Sequence, residues 1–334
     1  MNYIGAKYSL LNFLQSTIKE VTQYGDNNGF VFADLFAGTG IVGATYRAKG
    51  CKVISNDIQY YSYVLNKHYI ESTVPPNDDI INHIKNLNGT KGFIYNNYCI
   101  ESGSSRNYFE SNNGKKCDAI RLELDILLQN NVIDTQTYFS LLASLINSID
   151  KYANTTSVYG AFLKHLKNSA QKPFELEIIP TVDGPRGEVY NEDVNVLIKR
   201  ISGDVLYLDP PYNERQYCTN YHVLETVAKY DNPVLNGKTG LRNYKDQKSK
   251  YCSKKTVNDT FEDLISNANF KYIFLSYNNE GLMSLDKIKE IMSKYGTYCF
   301  YTQNYRRFKA DKNSNRTISS EVTTEYLHCL VKDF

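Results

Sequence analysis

The sequence predicts an α/β fold, a doubly wound and mostly parallel sheet interrupted by a long helical insertion. Three observations predict it. Short apolar runs ending in Gly, Asn or Asp alternate with helical spacing at both ends of the chain, as βαβ units require. The first such unit turns through a glycine-rich stretch, F-A-G-T-G at 36–40. From about 60 to 172 strand-like runs vanish and helical spacing takes over.

At the start of the chain, Lys7 to Val21 carries Leu10, Leu14, Ile18 and Val21 on one helical face. Phe30 to Leu35 reads as a strand, followed by the glycine turn and a helix to about Ala48. Lys52 to Ser55 is the next strand, closing at Asn56-Asp57. Within the insertion, Asp118 to Leu128 and Thr137 to Ile149 read as helices, accompanied by polar stretches such as 101–107. The α/β pattern returns with a strand at Glu188 to Tyr190, a short helix at Val194 to Ile201 and a strand at Val205 to Leu208. A helix at Tyr221 to Tyr230 and a strand at Tyr272 to Leu275 come next. Tyr298 to Phe308 and Glu325 to Val331 suggest an antiparallel hairpin at the sheet edge.

Bulk properties narrow the class. The chain has 334 residues, 42% of them hydrophobic, enough for a sizeable core and one or two domains. No apolar run approaches the roughly 18 residues of a membrane span, and Met1 to Gly5 lacks a basic stretch leading into an apolar core, so neither a membrane segment nor a signal peptide is expected. The seven cysteines include no C-x-x-C spacing; disulfides and a metal site are not expected, and a reducing, cytoplasmic location is. The net charge of +2 says nothing about partners, but local charge does. Between Lys238 and Lys255 seven basic residues face the single acid Asp246, and between Arg306 and Arg316 five face Asp311. Such runs are usually solvated loops, but two of them near a candidate site favour a phosphate-binding surface.

Gly38-Thr39-Gly40-Ile41-Val42-Gly43 fits G-x-G-x-x-G between a strand and a helix, with Asp57 at the end of the next strand. Glycines permit the tight turn and close approach of a ligand, and the second-strand carboxylate can accept ribose hydroxyls. NAD, FAD and S-adenosylmethionine all carry that ribose. Two features favour S-adenosylmethionine. Asp34 stands just before the turn, where a carboxylate welcomes a sulfonium and a free amino group but repels a pyrophosphate. Asp193, at another strand end, can bond an adenine amino group. The plainer alternatives are a packing turn for the glycines and helix N-caps for Asp57 and Asp193.

The decisive stretch is D-V-L-Y-L-D-P-P-Y-N at 204–213. The prolines end the strand at Asp209 and stiffen the loop beyond it. An exocyclic amine on a base is flat and poorly nucleophilic. Two acceptors aimed at its hydrogens localise the lone pair. Asp209 supplies one through its side chain. The Pro210 carbonyl supplies the other, its direction fixed by Pro211. Tyr212 offers a ring for the base to stack on, and the base must leave the duplex to reach it.

This motif resembles the signature of the amino-methyltransferases of DNA, and the whole chain resembles their Dam-like, adenine-specific branch, which includes type II restriction-modification methyltransferases. Gly5-Ala6-Lys7-Tyr8-Ser9-Leu10-Leu11 matches that branch's opening segment, with Gly-Ala-Lys where Dam has Gly-Gly-Lys. Asp34-Leu35-Phe36-Ala37-Gly38-Thr39-Gly40 matches its cofactor motif. Tyr159 to Lys164 is reminiscent of restriction-linked members. The resemblance implies a Rossmann-like S-adenosylmethionine-dependent methyltransferase fold, with a catalytic domain at 1–60 and 173–334 and a mostly helical target-recognition insertion at 61–172. It implies catalysis by Asp209, Pro210, Pro211 and Tyr212. It also implies cofactor contacts from Tyr3, Lys7, Asp34, Phe36, Gly38, Gly40, Asp57, Ile58 and Asp193. Its partners are then double-stranded DNA and a restriction endonuclease acting separately. For DNA contact the residues beyond the catalytic tyrosine stand out, namely Arg215, Gln216, Tyr217 and Asn220, together with Lys245, Arg306 and Arg307 in the basic segments. His222 either faces DNA or serves as a helix cap or an ordinary surface residue.

Other chemistries fit less well. A cytosine C5 methyltransferase needs a nucleophilic cysteine, typically after proline, and no Pro-Cys occurs. N4-cytosine or RNA adenine methylation uses similar amine chemistry and remains the nearest rival. A non-catalytic DNA-binding subunit is disfavoured by the intact Asp209 to Tyr212. A nicotinamide-dependent oxidoreductase is the weakest alternative.

Overall fold

The computed structural model describes residues 7–25, 29–306 and 322–333. They hold one seven-stranded sheet: β1 (Val31–Asp34), β2 (Lys52–Asn56), β3 (Glu188–Tyr190), β4 (Ser202–Leu208), β5 (Asn269–Asn278), β6 (Gly296–Arg306) and β7 (Val322–Lys332). The order across the sheet is β3-β2-β1-β4-β5-β7-β6. All pairs among the first five strands are parallel, and β7 runs antiparallel to both β5 and β6. This is a Rossmann-like, doubly wound α/β fold. From β1 the chain winds outward through β2 and β3, then returns to the other side with β4. The carboxyl ends of β1 and β4 therefore border the topological switch point, where open α/β sheets leave a crevice.

Two compact units share the chain. One comprises Gly5–Ile58, Val182–Gln216 and Gln247–Phe334 and contains the sheet. Its central strands are apolar because both faces are covered; the side chains from Phe270 to Asn278 are buried except Lys271. The helix Val257–Asn267 contributes Val257, Phe261, Leu264 and Ile265 to this core, a spacing that puts all four on one face. The helix Leu11–Thr22 buries Leu14 and Ile18, four residues apart on one face.

The other unit comprises Gln59–Thr181 and Tyr217–Asp246 and is helical. Its longest helices are Ser111–Gln129 and Thr135–Tyr152. The first begins well before Asp118, where the sequence places it, because Glu110 caps it by accepting the N–H groups of Asn112 and Asn113. Asn113, Asp118 and Arg121 are buried along it and blur its apolar period. The unit is wider than 61–172: Val223, Leu224, Val227 and Ala228, from the helix His222–Lys229, join the same apolar cluster as Leu141, Leu145 and Ile149. Among the described residues no helix is long and apolar enough to cross a membrane.

Candidate active site

All the described residues of the site lie in the sheet unit. Asp34 ends β1, facing Tyr207 of β4 across the ladder, and Asp209 comes directly after the end of β4. Asp34 is buried, and among the described residues nothing bonds its Oδ1. Burial pushes its carboxyl up to about 8, aided by the charges of Asp209 and Asp57, while the N–H groups of Gly43 and Phe36 pull against the rise. The turn after β1 takes Gly38 to φ 51° and Gly40 to φ 81°, a region open to glycine at little cost. Asp57 braces that turn, accepting the Gly38 N–H at 2.8 Å. Asn56, which no sequence motif marks, also builds the site. It is buried and donates to the carbonyls of Leu35 and Glu192, tying the ends of β1 and β3 together.

Asp209 is paired with Lys7, whose Nζ stands 3.0 Å from its Oδ1 and 3.1 Å from Glu325 Oε1. Burial pushes the Asp209 carboxyl up to about 6; Lys7 opposes that rise and Glu325 adds to it. Burial also works against the Lys7 charge, but the two carboxylates outweigh it and hold the ammonium well above the ordinary lysine range. The loop itself is pinned where the Leu282 N–H donates to the Tyr212 carbonyl at 2.9 Å. Among the described residues none donates to the Pro210 carbonyl.

The family profile of the D12 class N6 adenine-specific DNA methyltransferases matches residues 3–318. The type II methyltransferase M.NlaIII of Neisseria lactamica is 50% identical over all of both chains. The type II methyltransferase M.FokI of Planomicrobium okeanokoites is 38% identical over all of this chain and 53% of its own length. The modification methylase LlaI of Lactococcus lactis is 36% identical over 94% of this chain and 52% of its own. The chain belongs to the D12 class of N6 adenine-specific DNA methyltransferases.

In this methyltransferase Phe36 is half-buried and meets Tyr251 edge-on at 5.0 Å. Tyr251 in turn donates to Asn195 Oδ1 at 2.9 Å. Ile58 accepts a bond from Gln247 Nε2 through its carbonyl at 3.3 Å. Residues 247–251, read from sequence as part of a phosphate-gripping loop, thus reach Ile58 and Phe36 instead. Asp193 caps the helix Val194–Leu197 by accepting the Asn195 N–H at 2.8 Å and remains exposed. The N-cap alternative therefore describes it, without displacing a ligand role for an exposed carboxylate. Tyr3 and Arg307 lie outside the described residues, and of Arg306 only the backbone is described, at the end of β6.

The residues expected at DNA divide. Arg215 is exposed. Gln216 uses its amide inside the unit, giving Nε2–H to the Ser249 carbonyl at 3.1 Å and taking the Ser249 N–H at 2.8 Å. In the helical unit Tyr217 stacks on Tyr221, Asn220 accepts the Tyr159 N–H through its carbonyl, and Lys245 is exposed. Two residues depart from the sequence expectation. Arg242, counted with the basic loop, is buried and forms a two-pronged pair with Asp231 at 2.9 and 2.6 Å. His222 is fully buried, its Nε2 2.9 Å from the Tyr159 carbonyl. Burial pushes its pKa down to about 4, so it is a neutral core residue rather than a surface group.

Proposed function

We propose that this enzyme transfers the methyl group of S-adenosylmethionine to N6 of an adenine turned out of double-stranded DNA, with Asp209 and the Pro210 carbonyl accepting the amine's two hydrogens. The observation that carries the reading is the pairing of two aspartates at the switch point: the buried Asp34, with an oxygen lacking any partner among the described residues, and the half-buried Asp209, on the proline-stiffened loop beside it. The donor set suits this cofactor. Asp34 Oδ1 is the acceptor that a cationic amino group would satisfy, Asp57 suits ribose hydroxyls, and Asp193 suits the adenine amine. Phe36 and Ile58 flank the base, and Gly38 and Gly40 let it approach the backbone. Bound there, the cofactor supplies a methyl group on a sulfonium, which departs as a neutral thioether.

The chain's own work is positional. Asp209 and the Pro210 oxygen draw N6 toward tetrahedral geometry, so its lone pair points at the incoming carbon. As the N–C bond forms, one N6 proton is lost through Asp209 or to solvent. Tyr212 stacks on the extruded base, a contact worth about 1–3 kcal/mol. Residues 61–172 read the target sequence, while Arg215, Tyr217, Asn220 and Lys245 hold the duplex. By analogy with the relatives named as type II and modification methylases, the enzyme protects sites from a separate restriction endonuclease. Its seven cysteines are all unbridged, which suits the cytoplasm.

The test is transfer of labelled methyl from S-adenosylmethionine to duplex DNA by wild type and Asp209→Ala, with digestion of the product to nucleosides. Loss of at least about 100-fold is expected, with N6-methyladenine as the product. Wild-type rates in the variant would remove the mechanism; N4-methylcytosine, or activity only on RNA, would replace the substrate.

A further inference from the structure

Glu325 belongs to no motif visible in the sequence, yet it lies within the charged centre of the site. It is on β7, and because β7 runs antiparallel, the start of that strand reaches the edge where β4 and β5 end; Glu325 sits opposite Asn278. Its side chain is 2% exposed. Its Oε1 receives both the Lys7 ammonium at 3.1 Å and the Ser276 hydroxyl. The same Lys7 nitrogen is 3.0 Å from Asp209 Oδ1.

A buried carboxylate, a half-buried carboxylate and a buried ammonium held together do not stabilise a fold well, since desolvation offsets much of the attraction. The arrangement does solve a chemical problem. Asp209 must accept a hydrogen from the adenine amine while Lys7 competes for its negative charge at Oδ1. A buried ammonium deprived of its partner would be strongly disfavoured. We propose that Glu325 is a positioning residue that keeps Lys7 when the amine arrives, leaving Asp209 to turn from the ammonium to N6. Ser276 fixes the Glu325 oxygen to which Lys7 stays bonded. This inference rests on the role given to Asp209 above.

The titratable groups facing Asp209 are Lys7 from the opening turn, Asp34 from β1, Tyr207 from β4, Glu325 from β7 and Tyr212 in its own loop. Of these, Glu325 adds negative charge that favours the protonated Asp209. Removing it lowers the pH at which Asp209 ionises.

The experiment compares wild type, Glu325→Gln, Glu325→Asp, Lys7→Gln and the Lys7→Gln/Glu325→Gln double variant in single-turnover methylation of duplex DNA from pH 5 to 9. Melting temperature and S-adenosylmethionine affinity are measured alongside. Glu325→Gln is expected to slow methyl transfer about tenfold and move the acid limb of the rate profile to lower pH. Cofactor affinity is unchanged, Glu325→Asp recovers part of the rate, and Glu325→Gln has no further effect once Lys7 is replaced. An unmoved acid limb, a rate loss that follows melting temperature, or losses that multiply in the double variant would overturn the proposal. Full activity in Asp209→Ala would instead overturn the reading beneath it, a different result in a different variant.

Discussion

Each unit buries an aspartate almost completely, and the two are finished in opposite ways. Asp118, in the helical unit, accepts the N–H groups of Gly92, Ile94 and Tyr95 at 2.8–3.0 Å and the Tyr230 hydroxyl at 2.6 Å. Burial raises its pKa, and those donors pull it back. Asp34, in the sheet unit, keeps Oδ1 without a partner among the described residues, and its pKa is pushed up to about 8. The first carboxylate gathers a loop and the start of the helix Phe93–Tyr98 into one fixed shape. The second is left incomplete, at the place where a ligand with an ammonium group would complete it. Buried polar groups are normally satisfied, and the proposed function makes Asp118 a staple and Asp34 a receptor.

Removing each carboxylate would break or confirm this contrast. Asp118→Ala strands three buried N–H groups and a hydroxyl, and should destabilise the helical unit by about 3–5 kcal/mol, read by urea unfolding. Cofactor affinity of the folded fraction should not change. Stability within about 1 kcal/mol of wild type would show that Asp118 is no staple.

Asp34→Asn should act the other way round. A charged hydrogen bond is worth about 1.5–3 kcal/mol, so S-adenosylmethionine affinity should fall about 10- to 100-fold by calorimetry, with stability held or raised. The sign of the pH dependence comes from the raised pKa. An aspartate that ionises near 4 when unfolded and near 8 when folded favours the fold in its protonated form. Unliganded stability should therefore fall as pH rises from about 4 to 8, and Asp34→Asn should flatten that slope; Asp209 contributes a similar slope that ends near pH 6. Cofactor affinity should rise over pH 6 to 8 and then level off, with a proton released on binding. Affinity independent of pH across that range would count against Asp34 as the ammonium site.

How much of the molecule is legible in the sequence differs between the units for the same physical reason. In the sheet unit the site is built at strand ends, where proline, glycine and acid stand next to each other in sequence. Asp34, Asp57 and Asp209 can be named from local pattern alone. Glu325, Ser276 and Asn56 cannot, because they reach the site through strand pairing and carry no local signature. The helices Asp78–Lys85 and Leu285–Met292 are short, eight residues each, yet they are open to a reading by pattern: Ile80, Ile81 and Ile84 in the first and Leu285, Ile288, Ile291 and Met292 in the second keep helical spacing, and Asn77 and Ser284 before them are proper caps. In the helical unit the packing of the helix His222–Lys229 with the insertion is a tertiary fact with no sequence marker. A boundary drawn from element type alone stops at 172.

The basic segment sharpens the comparison at its smallest scale, because charge counts alone cannot distinguish its members. Arg242 and Lys245 are three residues apart in one unit. Arg242 is buried against Asp231 and holds the Asp231 carboxyl below its usual range despite the opposing effect of burial. Lys245 is exposed. Arg242→Ala should therefore lower stability by about 1–2 kcal/mol and leave the salt dependence of DNA binding untouched. Lys245→Ala should leave stability unchanged. If it meets a phosphate, affinity should drop a few-fold and the slope of log affinity against log salt should become shallower by about 0.9. Fluorescence anisotropy on a duplex over about 50–300 mM salt reads both variants. Equal slopes for the two would mean that Lys245 is an ordinary solvated lysine and that the duplex is held elsewhere.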